Sequence, residues 1–242
     1  CQSSGYTSHY INSATSNTLT LEAGIRLYLS ASAGNKLINL PNGKLELLAG
    51  TSISQDATES GSINAGTLLL GKCSACSSNP TVTLTNPFNR ISNLQGANVS
   101  SVSVNSSIDM AVNSSNLSTT DAIALTVVGN IAVNGNINTT AGTTNGDVLL
   151  KSSGDISVAA SKAITTSGGD VVLWSNSDGQ TTNGSITLTN GATVVTGSNT
   201  VAGGAIWMGG GSGSATWNGL SVGNGYAVSS GTAVFLEKSV IN

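Results

Sequence analysis

A repeat with a spacing of 23 residues is the feature that most constrains the fold of this chain. The segment Gly146-Asp-Val-Leu-Leu-Lys returns as Gly169-Asp-Val-Val-Leu-Trp, and a looser copy follows at Gly204-Ala-Ile-Trp-Met. The same spacing of 23 separates Gly43-Lys-Leu-Glu-Leu-Leu from Gly66-Thr-Leu-Leu-Leu. Repetition on this scale is typical of solenoids, in which one unit cannot bury its apolar face and stacked units form the core.

Short apolar clusters between these copies predict three strands in each unit. Gly154-Asp-Ile-Ser-Val and Ala163-Ile-Thr-Thr-Ser lie between the first two copies. Such clusters of β-branched residues, bounded by Gly, Asn and Ser, are typical of short strands joined by tight turns. Helical spacing of apolar residues is hard to find along the chain. The sequence therefore predicts an all-β parallel β-helix, or β-solenoid, with coils of about 23–35 residues.

The predicted domain organisation is one continuous solenoid preceded by a short polar segment. Residues 1–17 are polar and irregular, which predicts an N-terminal linker or cap, and residues 18–242 are predicted to form a single β-helix. The last strand-like segment, Ala233-Val-Phe-Leu-Glu-Lys238, lies close to the end of the sequence. We therefore expect residues 18–242 to be a segment of a longer protein or filament. The phase of the coils between residues 81 and 145 does not follow from the sequence.

Composition limits the classes of partner. Only 8% of the residues are charged, against about 25% in an ordinary globular domain. The eight Lys and Arg residues are scattered, so the sequence predicts no basic surface for nucleic acid. No apolar run reaches the roughly 18 residues expected of a transmembrane segment. The regular aliphatic clusters and the net charge of −3 also argue against a disordered chain.

Alternation along the repeated strand predicts an apolar row on the outside of the solenoid. If residues such as Val148 and Leu150 point inward, the residues between such pairs point outward. This outward row is predicted to contain Leu149, Val172, Trp207 and Phe235. A continuous apolar row on a surface usually contacts something. Three explanations are open: contact with another segment or subunit, cover by a loop of the same chain, or a ligand-binding surface.

The three cysteines predict one local disulfide and one unpaired residue. Cys73 and Cys76 form a Cys-x-x-Cys motif, and neither a second such motif nor a pair of His residues is present to complete a zinc site. A small loop disulfide is the favoured interpretation, with two free thiols or a functional site as alternatives. Cys1 would then remain for an intermolecular link or for acylation.

Asp147 and Asp170 are the strongest candidates for a metal or catalytic role. They follow the strand-initiating glycine at equivalent positions of the repeat, so they would stack on adjacent coils, where paired carboxylates weakly suggest Ca²⁺. The alternative is that each caps a turn, which Ala205 at the next equivalent position favours. No cofactor is predicted. Asparagines near turns, such as Asn134 and Asn136, are expected to stack into ladders that satisfy turn carbonyls.

Three segments resemble the β-strand repeats of filamentous-haemagglutinin-like exoproteins, which are large bacterial surface proteins exported by two-partner secretion or related to autotransporter-type adhesins. These segments are Thr81 to Leu94, Gly129 to Ile137 and Gly168 to Gly179. The resemblance implies a right-handed parallel β-helix outside the cell, in an adhesin shaft, a biofilm matrix or a fibre. It supplies no active-site residue.

The predicted function is that of a non-enzymatic structural segment of an extracellular bacterial adhesin or surface fibre that associates with itself into filaments. A host or matrix glycan or protein is a further expected ligand. Two alternatives belong to other classes: a carbohydrate-active β-helix enzyme that would use Asp147 and Asp170, and an acylated surface lipoprotein or binding module tethered through Cys1.

Overall fold

The computed structural model describes residues 11–30, 38–56, 61–140, 146–180, 184–197, 201–217, 219–225, 234–236 and 240–241. These residues form parallel strands stacked as the coils of a β-solenoid, with one antiparallel pair near the C-terminal side. The predicted all-β solenoid fold is therefore confirmed. No helix long and apolar enough to cross a bilayer occurs within the described ranges.

The strands are short and follow one another closely. In chain order they are β1 (Ile11–Asn12), β2 (Thr18–Ala23), β3 (Arg26–Leu29), β4 (Ile38–Ala49), β5 (Ser52–Gln55), β6 (Ile63–Lys72), β7 (Thr81–Leu84), β8 (Arg90–Val99), β9 (Ser101–Ser106), β10 (Met110–Thr119), β11 (Ile123–Val127), β12 (Ile131–Val133), β13 (Ile137–Thr139), β14 (Val148–Ser152), β15 (Ile156–Val158), β16 (Ala163–Thr165), β17 (Val171–Trp174), β18 (Ile186–Leu188), β19 (Thr193–Val195), β20 (Ile206–Trp217), β21 (Leu220–Gly225), β22 (Val234–Leu236) and β23 (Val240–Ile241).

The strands build three faces. The long strands β4, β6, β8 and β10 each supply two faces, because their two ends pair with different neighbours; in β10, Met110–Val112 pairs with β12 and Leu117–Thr119 pairs with β13. The first face continues through β12, β15, β18 and β22, and the second through β13, β16, β19 and β23. The third face is the separate sheet of β3, β5, β7, β9, β11, β14, β17 and β20.

The strand register explains both the visible repeat and the part that the sequence left unphased. Val148 pairs with Val171 and Lys44 pairs with Thr67, so both 23-residue repeats are single coils. The coils in the unphased part are shorter. Thr81 pairs with Ser101, 20 residues away, and Val102 pairs with Ile123, 21 residues away. The predicted range of 23–35 residues per coil is thus too narrow.

The longest coil lies near the C-terminal side and corrects part of the predicted inward stack. Val148, Leu150, Val171 and Leu173 are fully buried, as the alternation predicted. Val234 and Leu236 do not extend this stack on the third face, because β22 pairs with β18 on the first face. The 48-residue step from Ile186 to its partner Val234 contains the β20–β21 excursion, which displaces the next apolar cluster by one face.

The core is a narrow aliphatic column inside the coils. Each face contributes alternate residues, as in β11, where Ile123, Leu125 and Val127 are buried and the two residues between them are half-buried. The solenoid begins earlier than residue 18. Ile11 and Asn12 already pair with Ile38 and Asn39, so the first face includes residues that the sequence assigned to the N-terminal linker or cap.

Candidate functional site

The predicted apolar row is present for three of its four members. Leu149, Val172 and Trp207 occupy paired positions on β14, β17 and β20. Phe235 is not part of this row, because its backbone lies in β22 and pairs with Thr187 on the first face. The prediction was wrong for Phe235 because it assumed that the coil after Trp207 had the length of earlier coils.

The row is covered by a hairpin of the same chain. β20 pairs with β17 only as far as Gly209 and then continues into an antiparallel pair with β21. A small apolar cluster forms between this β20–β21 hairpin and the third face. Val172, Trp174 and Val222 are buried in it, and Leu149, Trp207 and Leu220 pack around them. Of the three explanations for an outward apolar row, the structure shows cover by the same chain.

Trp174 is the residue that fastens the hairpin, and the sequence analysis did not identify it. Its indole Nε1 donates a hydrogen bond to the carbonyl oxygen of Gly211 at 2.8 Å, and the side chain is only 3% exposed. Lys151 on the adjacent strand places its ammonium 3.9 Å from the centroid of the Trp174 ring system, a cation–π arrangement. A Cβ atom at Gly223 would lie 2.7 Å from Trp174 Nε1, so glycine is required for this close approach.

A sequence signal for the hairpin exists. The dipeptide Asn218-Gly219 lies between Trp217 and Leu220, which pair with each other at the end of the hairpin. Asn-Gly between strand-like segments is the strongest short-range indicator of a tight β-hairpin, because both turn positions favour residues that tolerate positive φ. Gly219 has φ of +81°. The 23-residue repeat drew attention away from this local signal.

The two candidate aspartates lie on adjacent coils and bond to the backbone. Asp147 Oδ1 accepts a hydrogen bond from the backbone N–H of Asp170 at 2.8 Å, and Asp170 Oδ1 accepts one from the N–H of Ala205 at 2.5 Å. Each carboxylate thus caps the start of the strand in the next coil, as the alternative to calcium binding proposed. No group of three or more His, Cys, Asp or Glu side chains suited to a metal is found within the described residues.

The same arrangement recurs along another corner of the solenoid. Asp109 Oδ1 accepts a hydrogen bond from the N–H of Asn130, and Asn130 Oδ1 accepts one from the N–H of Asp155, both at 2.8 Å. Asp155 Oδ1 continues the series and accepts hydrogen bonds from the N–H groups of Gly184 and Ser185 at 2.9 and 2.7 Å and from the Ser185 hydroxyl at 2.9 Å.

A third series, at the corner between the first and second faces, completes the pattern. Asn116 Oδ1 accepts from the N–H of Asn136 at 2.8 Å, and Asn136 Oδ1 accepts from the N–H of Ala163 at 3.0 Å. We call these three series the corner ladders. They satisfy backbone N–H groups, whereas the sequence analysis expected asparagine to satisfy carbonyls.

Turn carbonyls are instead bonded by buried threonine hydroxyls. Thr139 Oγ1 donates to the carbonyl oxygen of Gly146 at 2.5 Å, and Thr166 Oγ1 donates to that of Gly169 at 2.5 Å. Thr196 makes the equivalent bond to Gly204 at 2.8 Å. Because a buried polar group without a partner is costly, these hydroxyls have a structural role between the second and third faces.

Removal of the Asp155 side chain tests the value of a corner ladder. Burial raises the pKa of Asp155, but the hydrogen bonds from Ser185 and Gly184 outweigh it and hold the pKa below its ordinary value. We expect Asp155→Ala to lower the free energy of unfolding by about 1 kcal/mol, the lower end for a lost acceptor, because solvent reaches this carboxylate. Urea unfolding followed by circular dichroism measures the loss, and Asp178→Ala, in an exposed turn, is the control that should change little.

The pH dependence of the same variant has a defined sign. A carboxylate with a lowered pKa in the folded state stabilises the protein above the unfolded pKa, and this contribution is lost as pH falls through the folded pKa. The difference in stability between the wild type and Asp155→Asn should therefore narrow on acidification below the ordinary pKa of aspartate. A difference that stayed constant from neutral pH to strongly acidic pH would contradict the assigned hydrogen bonds.

Cys73 and Cys76 form a disulfide, and the loop that they close spans more than one coil. In this loop the N–H and the hydroxyl of Ser74 donate to Glu22 Oε1 at 2.6 and 2.8 Å, and both bonds lower the pKa of Glu22. A Cβ atom at Gly50 would lie 2.8 Å from the Cys76 sulfur. The loop therefore contacts the two preceding coils. Cys1 lies outside the described residues.

Opening this disulfide should loosen the N-terminal coils. The entropy model for so short a loop gives about 2 kcal/mol, and we expect the double substitution Cys73→Ser with Cys76→Ser to lower the stability by about that amount. The variant Ser74→Ala separates the contribution of the Glu22 contact from that of the crosslink. Hydrogen exchange resolved by segment should show faster exchange in β2 and β4 of the double variant and unchanged exchange in β15 to β18; uniform acceleration would contradict a local role.

A shallow groove on the outer surface of the first face offers the other concave surface of note. Its lining includes Arg90, Asp109, Ile108 and Val128. Asp109 is the one carboxylate among its lining residues, and its Oδ1 is bonded to the N–H of Asn130. This groove therefore does not bring together the pair of carboxyl groups that glycoside hydrolysis requires.

The geometry defines the chain as a β-solenoid protein whose described polar side chains mainly connect one coil to the next. Comparison of the chain with protein-family models, with curated proteins and with solved structures gave no match.

Proposed function

We propose that this chain is a non-enzymatic structural segment of an extracellular bacterial adhesin or surface fibre. The observation that carries the proposal is the set of corner ladders, in which the aspartates and asparagines of one coil bond to the backbone of the next. Side chains with reactive groups are thereby committed to holding coils together, which favours a rod over a catalyst.

The architecture suits a shaft that keeps its shape over its length. Parallel strands stack at about 4.8 Å per coil, and the hydrogen bonds of three faces run along the same axis. The corner ladders and the threonine hydroxyls add side-chain bonds in that direction. Disordered or loosely packed chains of similar composition would lack this stiffness.

Two further features support a location outside the cell. Disulfides persist mainly in oxidising compartments, and Cys73 and Cys76 are joined in this way. The second feature is the resemblance of three segments to the repeats of filamentous-haemagglutinin-like exoproteins. Self-association into fibres and binding of a host or matrix glycan or protein are part of the proposal.

Immunogold electron microscopy of cells that produce the protein tests this function. Antibody raised against the purified chain should label the cell surface or fibres that extend from it, and a deletion strain provides the control. Label confined to the cell interior would overturn the proposal. A panel of polysaccharide substrates adds a second arm: turnover by the wild type that is lost in the double variant Asp147→Asn with Asp170→Asn would establish the enzymatic alternative instead.

A further inference from the structure

The β20–β21 hairpin is packed on an apolar cluster that is separate from the main core. Val171 and Leu173 point into the coil and belong to the main core, whereas Val172 and Trp174 point outward and meet Val222 of the hairpin. The two clusters share no buried residue. Departure of the hairpin would therefore leave the inward column of aliphatic residues intact.

The hairpin also holds its own shape. Its strands pair from Trp217 and Leu220 down to Gly210 and Gly225, and the N–H of Gly213 donates to Asn224 Oδ1 at 3.1 Å. The hydrogen bond from Trp174 to Gly211 joins the hairpin to the third face. A unit with internal pairing and a small contact area opens at a lower free energy than the whole molecule.

The segment that enters the hairpin is suited to changes of direction. Gly209-Gly-Gly-Ser-Gly213 contains four glycines, and Gly211 has φ of +103°. Glycine reaches such backbone angles at no steric cost. The hairpin can thus leave the third face by rotation at this segment while β20 remains paired with β17 up to Gly209.

We propose that the β20–β21 hairpin exchanges between two copies of this chain, so that the hairpin of each covers Leu149, Val172 and Trp174 of the other. The occupant is a second copy because the surface already fits this hairpin, and exchange reproduces the same contacts without a new interface. Exchange of an identical element is a low-cost route to dimers. This inference rests on the self-association within the proposed function and names the surface that provides it.

A complementation experiment with two defective variants tests the exchange. In the donor, Val172→Glu places a charge beneath the hairpin and prevents it from covering its own chain. In the acceptor, residues 210–225 are replaced by a short Gly-Ser linker, so its apolar row lacks a cover. Mixing the two should give a heterodimer of 1:1 mass in size-exclusion chromatography with light scattering and in native mass spectrometry. An acceptor that also carries Val172→Glu is the matched control and should give no heterodimer.

Failure has a clear meaning when both variants keep the circular dichroism of the wild type. Absence of a 1:1 complex at concentrations up to about 1 mM, a weak affinity by any measure, would overturn the exchange. If either variant does not fold, wild-type chains of two isotopic masses are incubated together; dimers of mixed mass that disappear on deletion of the hairpin support the proposal, and a strictly monomeric wild type overturns it. Surface fibres in the immunogold experiment without exchange would reject this inference alone.

Discussion

Replacement of Leu150 by alanine is expected to lower the free energy of unfolding by about 2–5 kcal/mol. Leu150 is fully buried between Leu125 and Leu173, its partners on the adjacent strands, which are also fully buried. Backbone pairing on both sides keeps these neighbours in place, so the cavity left by the smaller side chain cannot close readily. Urea unfolding followed by circular dichroism measures the loss.

The neighbouring residue provides a matched control. Leu149 has the same chemistry and lies on the same strand, but it points outward and is only partly buried beneath the hairpin. Leu149→Ala should cost about 1 kcal/mol, in proportion to the smaller apolar area that it removes from water. Equal losses for the two variants, or a larger loss for Leu149→Ala, would contradict the assigned inward and outward positions.

Trp174→Ala is expected to release the hairpin while leaving the coils folded. Loss of a buried tryptophan costs about 3–5 kcal/mol, which exceeds what a small satellite cluster can offset once the bond to Gly211 is also gone. Cleavage within residues 210–225 during limited proteolysis should then accelerate by roughly two orders of magnitude, because proteolysis follows the population of the open form.

A second tryptophan in the hairpin tests the specificity of this effect. Trp217 is 40% exposed at the end of the hairpin, and Trp217→Ala should change the cleavage rate by less than about fivefold, as expected of a substitution outside a packed cluster. Hydrogen exchange of β14 and β17 reports on the coils and should stay slow in both variants. Similar cleavage of Trp174→Ala and the wild type would show that the cluster does not hold the hairpin.

The sequence predicted the third face better than the other two. The strand-initiating glycine and the Val-x-Leu alternation are intact in β14 and β17, so the register of Val148 with Val171 follows from the repeat alone. Between residues 81 and 127 the coils are shorter, and β8 and β10 pass through a corner without a break. The absence of turn residues at those corners removed the signal that would have phased the coils.

The misplacement of Phe235 has a different cause. Strand spacing in a solenoid is a reliable guide only while coils have similar lengths, and the hairpin adds residues between β20 and β22. The corner ladders were partly predictable, since Asp147 and Asp170 were recognised as equivalent. Their partners were not, because a side-chain oxygen can accept from a backbone N–H, bind a cation or face solvent at the same position in sequence.

Distances between spin labels on the third face test the stacked-coil account most directly. Tyr28, Ser54, Thr83, Ser103 and Ala124 occupy consecutive paired positions on β3, β5, β7, β9 and β11. The backbone separation from residue 28 should grow by about 4.8 Å per strand, to about 10, 14 and 19 Å at residues 83, 103 and 124. Electron paramagnetic resonance on doubly labelled variants should reproduce this linear increase. Distances that fail to rise in this order would contradict the solenoid register and, with it, the proposed role as a rod.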